Sequence, residues 1–427
     1  MLKGILNFYI KAFKSPDIRR KLFITACVLV VYRIAAHIPA AGIDTGSIQA
    51  LFSGSPLLSL LDVFSGGTLA NFSILALGLN PYINASIIFQ LLTFVVHKLE
   101  ELSKEGEYGQ EKINQYTRLL TVPLAALQAF AMYSLLRGQA IISPLDPFQL
   151  MALVLTMTAG SILAIWLGEL ISEYGIGNGI SFLIFAGIVA RLPITFSQSL
   201  SVFRSEDLLK LGFFAIVGIG LIALIVAMNE ATRRIPISYA RRQGRFSMGS
   251  SYLPLRLNQA GVIPIIFAVS LVMLPTFLGQ VLTGIGNEKV AGIASKVAAL
   301  FNPQAPSYSV IYFLLVVGFT YFYTAVVFNP DKIAENLQKN GGFIPGTRPG
   351  SHTVKYLNNV LNRITFVGAI FLGLIAVLPA VLQAIFGISA LAIGGTGVLI
   401  VVSVVLEVTR DIESQLVMKR YDTFVHA

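Results

Sequence analysis

Charge is in short supply in this chain. Only 12% of its 427 residues are Asp, Glu, Lys or Arg, against 55% apolar, whereas soluble domains are about a quarter charged. That excludes a water-soluble globule. The apolar residues fall in unbroken runs of around twenty, which excludes a transmembrane β-barrel, whose strands of about ten residues alternate apolar and polar. Cysteine is almost absent. Cys27 stands alone, so there is no disulfide framework and no thiolate metal site, and it reads as a small apolar residue of the first helix. The four histidines, His37, His97, His352 and His426, are scattered, with no HExxH pair and no His/Cys cluster. A GxxxxGK[ST] phosphate loop is also missing. The sequence therefore predicts no metal, no cofactor and no enzymatic activity, and an intramembrane enzyme fails for want of a nucleophile–base pair.

What is there is a series of apolar stretches long enough to cross a hydrocarbon core about 30 Å thick. Ten can be drawn, at 22–40, 74–96, 118–136, 149–169, 178–196, 211–229, 258–278, 309–328, 364–383 and 391–409. The N-terminal MLKGILNFYIKAFKSPDIRRKL is basic and amphipathic and lacks a signal-peptide cleavage pattern, so the first span reads as retained. With the N-terminus in the cytoplasm, twenty-four of the 31 Lys and Arg fall on that side, six on the other, and only Arg33 within a span. That is a strong positive-inside bias, and it places both termini in the cytoplasm. Ten spans divide as five plus five. With an odd number per half, any structural repeat between the halves is inverted. The expected organisation is an amphipathic N-terminus (1–21), a first five-helix half (22–196), a second five-helix half (211–409) with cytoplasmic loops 230–257 and 329–363, and a cytoplasmic tail (410–427).

Between Asp62 and Lys98 there is no charged residue at all. As one helix this run would reach about 50 Å at 1.5 Å per residue, too long for one crossing. Breakers stand at Gly66-Gly67, Asn71, Gly78, Asn80 and Pro81. Residues 74–96 read as a spanning but interrupted helix. The part around 57–72 is too short, glycine-rich and polar to span. Irregular backbone at membrane depth survives only where protein buries it or water reaches it, so 57–72 reads as a re-entrant element in a cavity.

The loop NEATRRIPISYARRQGRFSMGSSYLPLRLNQAG (229–261) is the most basic part of the chain. Topology alone explains charge near span ends. It does not explain the length, nor the alternation of Ile235, Ile237 and Tyr239 with polar or small neighbours, which suggests a projecting β-hairpin ribbon. A long basic projection suits an anionic or RNA-rich partner. In 328–365, Asp331 to Lys339 reads as a short helix stopped by Gly341-Gly342, followed by a stiff turn in which Pro345 and Pro349 fix φ while Gly346 and Gly350 permit reversal. Arg348 stands at its tip, and a solvated loop arginine and a presented contact residue fit it equally. Glu100, Glu101, Glu105, Glu107 and Glu111 read as a solvated loop. GEL-ISEYGIGNGISFLIFAG (168–187) reads as a tight glycine-rich connection between two spans.

Ionisable groups in mid-span are nearly absent, whereas ion-coupled transporters generally need one. Asn84, Gln90, Asn258 and Gln259 offer neutral polarity instead, suited to gluing helices together or to a seam that opens. A small-solute secondary transporter with inverted repeats remains the alternative to a channel.

Six segments bring a family into view: FSGGTLANFSILALGLNPYINASIIFQLL, KEGEYGQEKINQYTR, WLGELISEYGIGNGISFLIFAGIVA, LPLRLNQAGVIPIIFA, FNPDKIAENLQKNGGFIPGTRPGSHT and GGTGVLIVV. On these the chain resembles the SecY family (SecY and Sec61-alpha), central subunits of protein-translocation channels, over essentially its whole length. The resemblance implies an all-α polytopic membrane protein of ten transmembrane helices, in two inverted five-helix halves around an hourglass pore. It implies a plug at 57–72 containing Phe64, Gly66, Gly67 and Asn71, and an apolar pore ring of Leu79, Ile83, Ile184, Ile266 and Ile400. It also implies a lateral gate between spans two and seven with Gln90 and Asn258 in its seam. Docking of the motor ATPase SecA and of the ribosome, with contacts to its RNA, would use Arg233, Arg234, Arg241, Arg242 and Arg348. The further implied partners are the small membrane subunits SecE and SecG, signal sequences, nascent polypeptides and the lipid bilayer of the cytoplasmic membrane.

Overall fold

The computed structural model describes residues 12–40, 68–69, 71–138, 144–202, 208–239, 251–283, 292, 300–301, 305–386 and 395–425. Twelve helices are found among these: α1 (Pro16–Ala35), α2 (Asn80–Val95), α3 (His97–Lys104), α4 (Glu107–Gly138), α5 (Pro147–Tyr174), α6 (Gly179–Val202), α7 (Leu208–Glu230), α8 (Ile263–Thr283), α9 (Pro306–Val327), α10 (Pro330–Lys339), α11 (Ser351–Phe386) and α12 (Gly395–Val425). The strands are β1 (Thr232–Tyr239), β2 (Ser251–Arg256) and β3 (Gly342–Phe343). By length and composition, four described stretches can cross a membrane, Glu107–Gly138, Pro147–Tyr174, Pro306–Lys339 and Ser351–Leu382, with mean hydropathy from 1.7 to 2.5. A fifth is the pair α2 and α3, bent by 102° at Val96.

The helices pack in a parallel order within the two halves. In the first, α2 lies on α4, α4 on α5 and α5 on α6, with α1 against α5 and α6. In the second, α8 lies on α9, α9 on α11 and α11 on α12, with α7 against α12. The main contacts between the halves form two seams, α2 and α4 against α8 on one side and α6 against α12 on the other. One large apolar cluster fills the space between, running from Val28 and Tyr32 through Leu69, Phe72, Ile83, Ile184 and Ile266 to Ile400 and Val404.

Several expectations need correction. Residues 74–79 form successive turns rather than helix. Gly78 takes φ +54°, a left-handed conformation that suits glycine, and α2 starts only at Asn80, with Pro81 in its first turn where a missing N–H costs nothing. The acidic stretch expected as a loop is a helical corner. Lys104 Nζ holds Glu100 Oε1 at 2.6 Å, His97 reaches Glu101 at 3.2 Å, and Gly106, at φ +79°, turns the chain into α4. Asn258 precedes α8 instead of lying within it. Helix α1 begins at Pro16, inside the expected N-terminal segment, and α12 runs on to Val425 through the expected tail.

The basic ribbon is observed, and it is longer than its alternation indicated. β1 pairs antiparallel with β2, from Thr232 opposite Arg256 to Ile237 opposite Ser251. The second long loop does not project separately: β3 joins the other edge of β1, Tyr239 opposite Gly342. Ile235, Leu255, Ile344, Leu357 and Leu361 then form a second apolar cluster beneath the sheet, so the two loops make one unit.

Candidate functional site

The end of the stretch expected to be re-entrant is tied down tightly. Thr68, Leu69 and Phe72 are buried. Phe72 N–H donates to Leu69 O at 2.9 Å and Ser73 N–H to Thr68 O at 3.0 Å, a reversal that forces Phe72 to φ +42°. A short bridge carries it to the end of α1: Ala40 N–H donates to Phe72 O at 2.8 Å and Ile74 N–H to Ile38 O at 2.9 Å. On the far side, Gly160 of α5 lies so close that a Cβ there would collide with the Ile74 carbonyl. Asn71 is half-buried. Phe64, Gly66 and Gly67 lie outside the described residues.

Leu79 occupies the N-cap of α2 and Ile83 follows one turn later, its N–H bonded to Leu79 O at 3.0 Å, so the two share a helix face. Ile184 stands on α6, Ile266 on α8 and Ile400 on α12. All five are buried in the large apolar cluster, together with Leu69 and Phe72. Ile400 has no exposed surface, and the other four retain between 6% and 8%.

Helices α2 and α8 touch along their seam. Gln90 of α2 donates to Ser86 Oγ at 3.3 Å, within its own helix, and its Oε1 is buried without a partner. Asn258, in the turn ahead of α8, bonds Asn229 Oδ1 at 2.9 Å and Gly261 O at 3.2 Å. The hydrogen bonds of these two residues thus lie apart, and the structure brings Asn258 instead to Asn229, which in turn bonds Ser403 and Arg410. Sequence reasoning missed Asn229 and Ser403. The available signal was an Asn-Glu pair closing an otherwise apolar run at the root of the ribbon.

Arg233 and Arg234 are exposed on β1, opposite Leu255 and Pro254. Arg348 is exposed in the turn between Gly346 (φ +80°) and Gly350 (φ +92°), where Thr353 Oγ1 donates to its carbonyl at 3.0 Å. The pairing of β3 with β1 places both basic segments on the same small unit. Arg241 and Arg242 lie outside the described residues. No group of three His, Cys, Asp or Glu that could hold a metal occurs among the described residues.

Comparison with known proteins settles which family builds such an arrangement. The SecY family model matches residues 73–409. The protein translocase subunit SecY of Streptomyces scabiei is 44% identical, over 99% of this chain and all of its own length. The chain belongs to the SecY family. It is a protein translocase subunit, and the solute-transporter alternative falls away with that membership. Solved structures agree on the fold. A SecY whose plug domain is reported to stabilise the closed state of the translocation channel and maintain a membrane seal superposes with TM-score 0.66 at 23% identity, covering 94% of this chain and 93% of that one. Sec61 from a canine ribosome–channel complex gives TM-score 0.62 at 20% identity over 94% and 93%.

Proposed function

We propose that the chain forms the protein-conducting channel of a bacterial cytoplasmic membrane, passing unfolded preproteins across it and releasing apolar segments sideways into lipid. In this reading ten helices cross the bilayer, all but α3 and α10, as two inverted halves around an hourglass pore. Both termini and the β-ribbon unit face the cytoplasm, in keeping with the distribution of Lys and Arg. Leu79, Ile83, Ile184, Ile266 and Ile400 form the constriction. Branched apolar side chains offer no fixed hydrogen bonds, so they seal by dewetting and yield around any passing sequence. Residues 57–72 are the plug, and the seam of α2 and α8 is the lateral gate, with Gln90 and Asn258 at its polar positions. A signal sequence entering that seam buries apolar area only in the open arrangement, and this differential affinity shifts the closed–open equilibrium.

The observation that carries the reading is the meeting of all five constriction residues and the end of the plug in one apolar cluster between two seams. Arg233, Arg234 and Arg348, on the unit made by the ribbon and the turn beyond β3, supply together with Arg241 and Arg242 the docking surface for SecA and for ribosomal RNA. SecE and SecG would clamp the halves from outside, since two halves joined at seams would otherwise splay. The test is a photocrosslinker placed at Ile83 or Ile184 during translocation of a preprotein. Adducts with the moving polypeptide at both positions are expected. Adducts at neither, while the preprotein still crosses, remove these residues from the path.

A further inference from the structure

At the root of the ribbon, three elements meet through side chains that the reading above leaves without a role. Asn229, next to last in α7, is buried and uses every group it has. Its Nδ2 donates to Ser403 Oγ of α12 at 2.9 Å, its Oδ1 accepts from Asn258 Nδ2 at 2.9 Å, and its carbonyl accepts from Arg410 Nη2 at 2.8 Å. The last bond satisfies a carbonyl that a helix end leaves open and sets a cation at the negative end of the helix dipole. Arg410 also bonds Glu230 Oε1 at 2.6 Å. Asn258 is held less firmly. Outside its own turn, its described hydrogen bonds go to Asn229 alone, and its Oδ1 is buried without a partner.

The placement gives this pair mechanical reach. Asn229 lies just before β1 and Asn258 just after β2. Leu257 N–H donates to Ala231 O at 2.9 Å between them. The pair therefore closes the foot of the ribbon where its strands enter α7 and α8. Helix α12, the fixed side of the joint, is itself tied to the first half, because Asp411 Oδ2 accepts from Gly177 N–H at 3.1 Å in the turn between α5 and α6.

We propose that Asn229 is a positioning residue for gating: it holds the start of α8 against α12, and a load on the ribbon opens the α2–α8 seam by loosening the Asn229–Asn258 bond. The proposal rests on the channel reading above. The orphan Oδ1 of Asn258 favours release, since a buried acceptor without a partner is costly and gains by reaching water. The bond to Asn229 is what opposes it. The joint thereby couples the ribbon to the gate in the thermodynamic sense, through contacts made in one state and lost in the other.

The test uses the full chain with its translocase partners in lipid vesicles, carrying Cys27→Ser and one new cysteine on each of α2 and α8 to report seam closure by crosslinking. Transport is read for a preprotein with an intact or a weakened signal. Asn229→Ala should lower crosslinking and raise weak-signal transport about fivefold, the lower end of typical coupling between sites. Ser403→Ala should shift both readouts the same way by less. Adding Asn258→Ala to Asn229→Ala should change little more, because the two residues share one bond. If Asn229→Ala does not accumulate, Asn229→Asp, which keeps the acceptor for Asn258 and loses the donor to Ser403, takes its place and should match Ser403→Ala. Unchanged crosslinking and stringency in the Asn229 variant that accumulates, fully additive effects, or an equal loss of transport for both signals with the seam unmoved, each overturn the proposal. A wild type that moves no preprotein overturns the channel reading instead, and does so without any substitution.

Discussion

The large apolar cluster of the helix bundle and the small one beneath the β-ribbon contain the same kinds of side chain, yet different forces hold them. Around the bundle the outward residues are themselves apolar, with Phe23, Leu127 and Trp166 exposed, and lipid tails solvate these as well as a protein interior would. Helix association in such surroundings relies on close approach at small residues rather than on expulsion of water. The glycines show where: a Cβ at Gly160 would strike the Ile74 carbonyl, one at Gly179 the Gly168 carbonyl, and one at Gly373 the Phe313 ring. The ribbon unit is rimmed by Arg233, Arg234 and the Glu335–Lys339 pair at 2.7 Å. Its five buried residues gain the ordinary hydrophobic term of about 25 cal/mol per Å². One region is cohesive because backbones fit, the other because water is excluded.

Substitutions that separate the two forces rank by size. Gly160→Val should have the largest effect, at or beyond the top of the roughly 1–3 kcal/mol typical of overpacking, because the obstacle is backbone and cannot rotate away. The expected result is loss of folded protein on detergent extraction, and normal yield with an unchanged melting temperature would break the comparison. Leu255→Ala should cost about 2–3 kcal/mol, the lower end for such truncations, confined to the ribbon unit. Protease should then cut near 232–256 while the bundle survives as a protected core. Smaller still is Asn329→Ala, which removes the side chain accepting from Asp331 and Lys332 N–H at 3.1 Å. About 1 kcal/mol of cap stabilisation should disappear, read as faster amide exchange in α10 alone. The smallest effect concerns pH. The Lys339 ammonium, by hydrogen bond and by charge, holds the Glu335 carboxyl below its ordinary 4.5. Its contribution is therefore present above that value and fades as pH falls through the lowered one. Acid should lower the protection factors of the amides at the end of α10, that is, exchange relative to the intrinsic rate at each pH, and Glu335→Gln should remove that loss of protection.

How much of this the sequence revealed depended on range. Gly78 and Pro81 announce the break before α2 because conformation at those residues is a local matter. The ribbon showed itself in the alternation around Ile235 and Ile237 for the same reason. The ring and docking positions came through the family resemblance, not through periodicity, because a buried isoleucine looks alike whether it packs a helix or seals a pore. The acidic stretch misled because Glu100, Glu101 and Glu105 suggest solvent, whereas Glu100 and Lys104, four residues apart, pair along a helix. The joint of Asn229, Asn258 and Ser403 showed only in part, as the Asn-Glu pair that closes an apolar run and the polar pair Asn258-Gln259, because its members lie far apart in sequence and nothing local says that they meet. β3 was hidden, because two residues hold too little pattern to read and their partner lies about a hundred residues earlier.

Phe72 adds a kinetic consequence to the picture of a plug. A bulky residue held at positive φ gives up roughly 1–2 kcal/mol of backbone energy, and here the Ala40 and Leu69 hydrogen bonds keep it there. On the plug reading proposed above, the segment in its seat is a cocked spring rather than a resting stopper. Once the bond from Ala40 gives way, Phe72 relaxes to an ordinary conformation and that strain is released in the direction of departure. Return requires it to be loaded again. Unseating should therefore begin at the end nearest α1, where the bond from Ala40 holds Phe72.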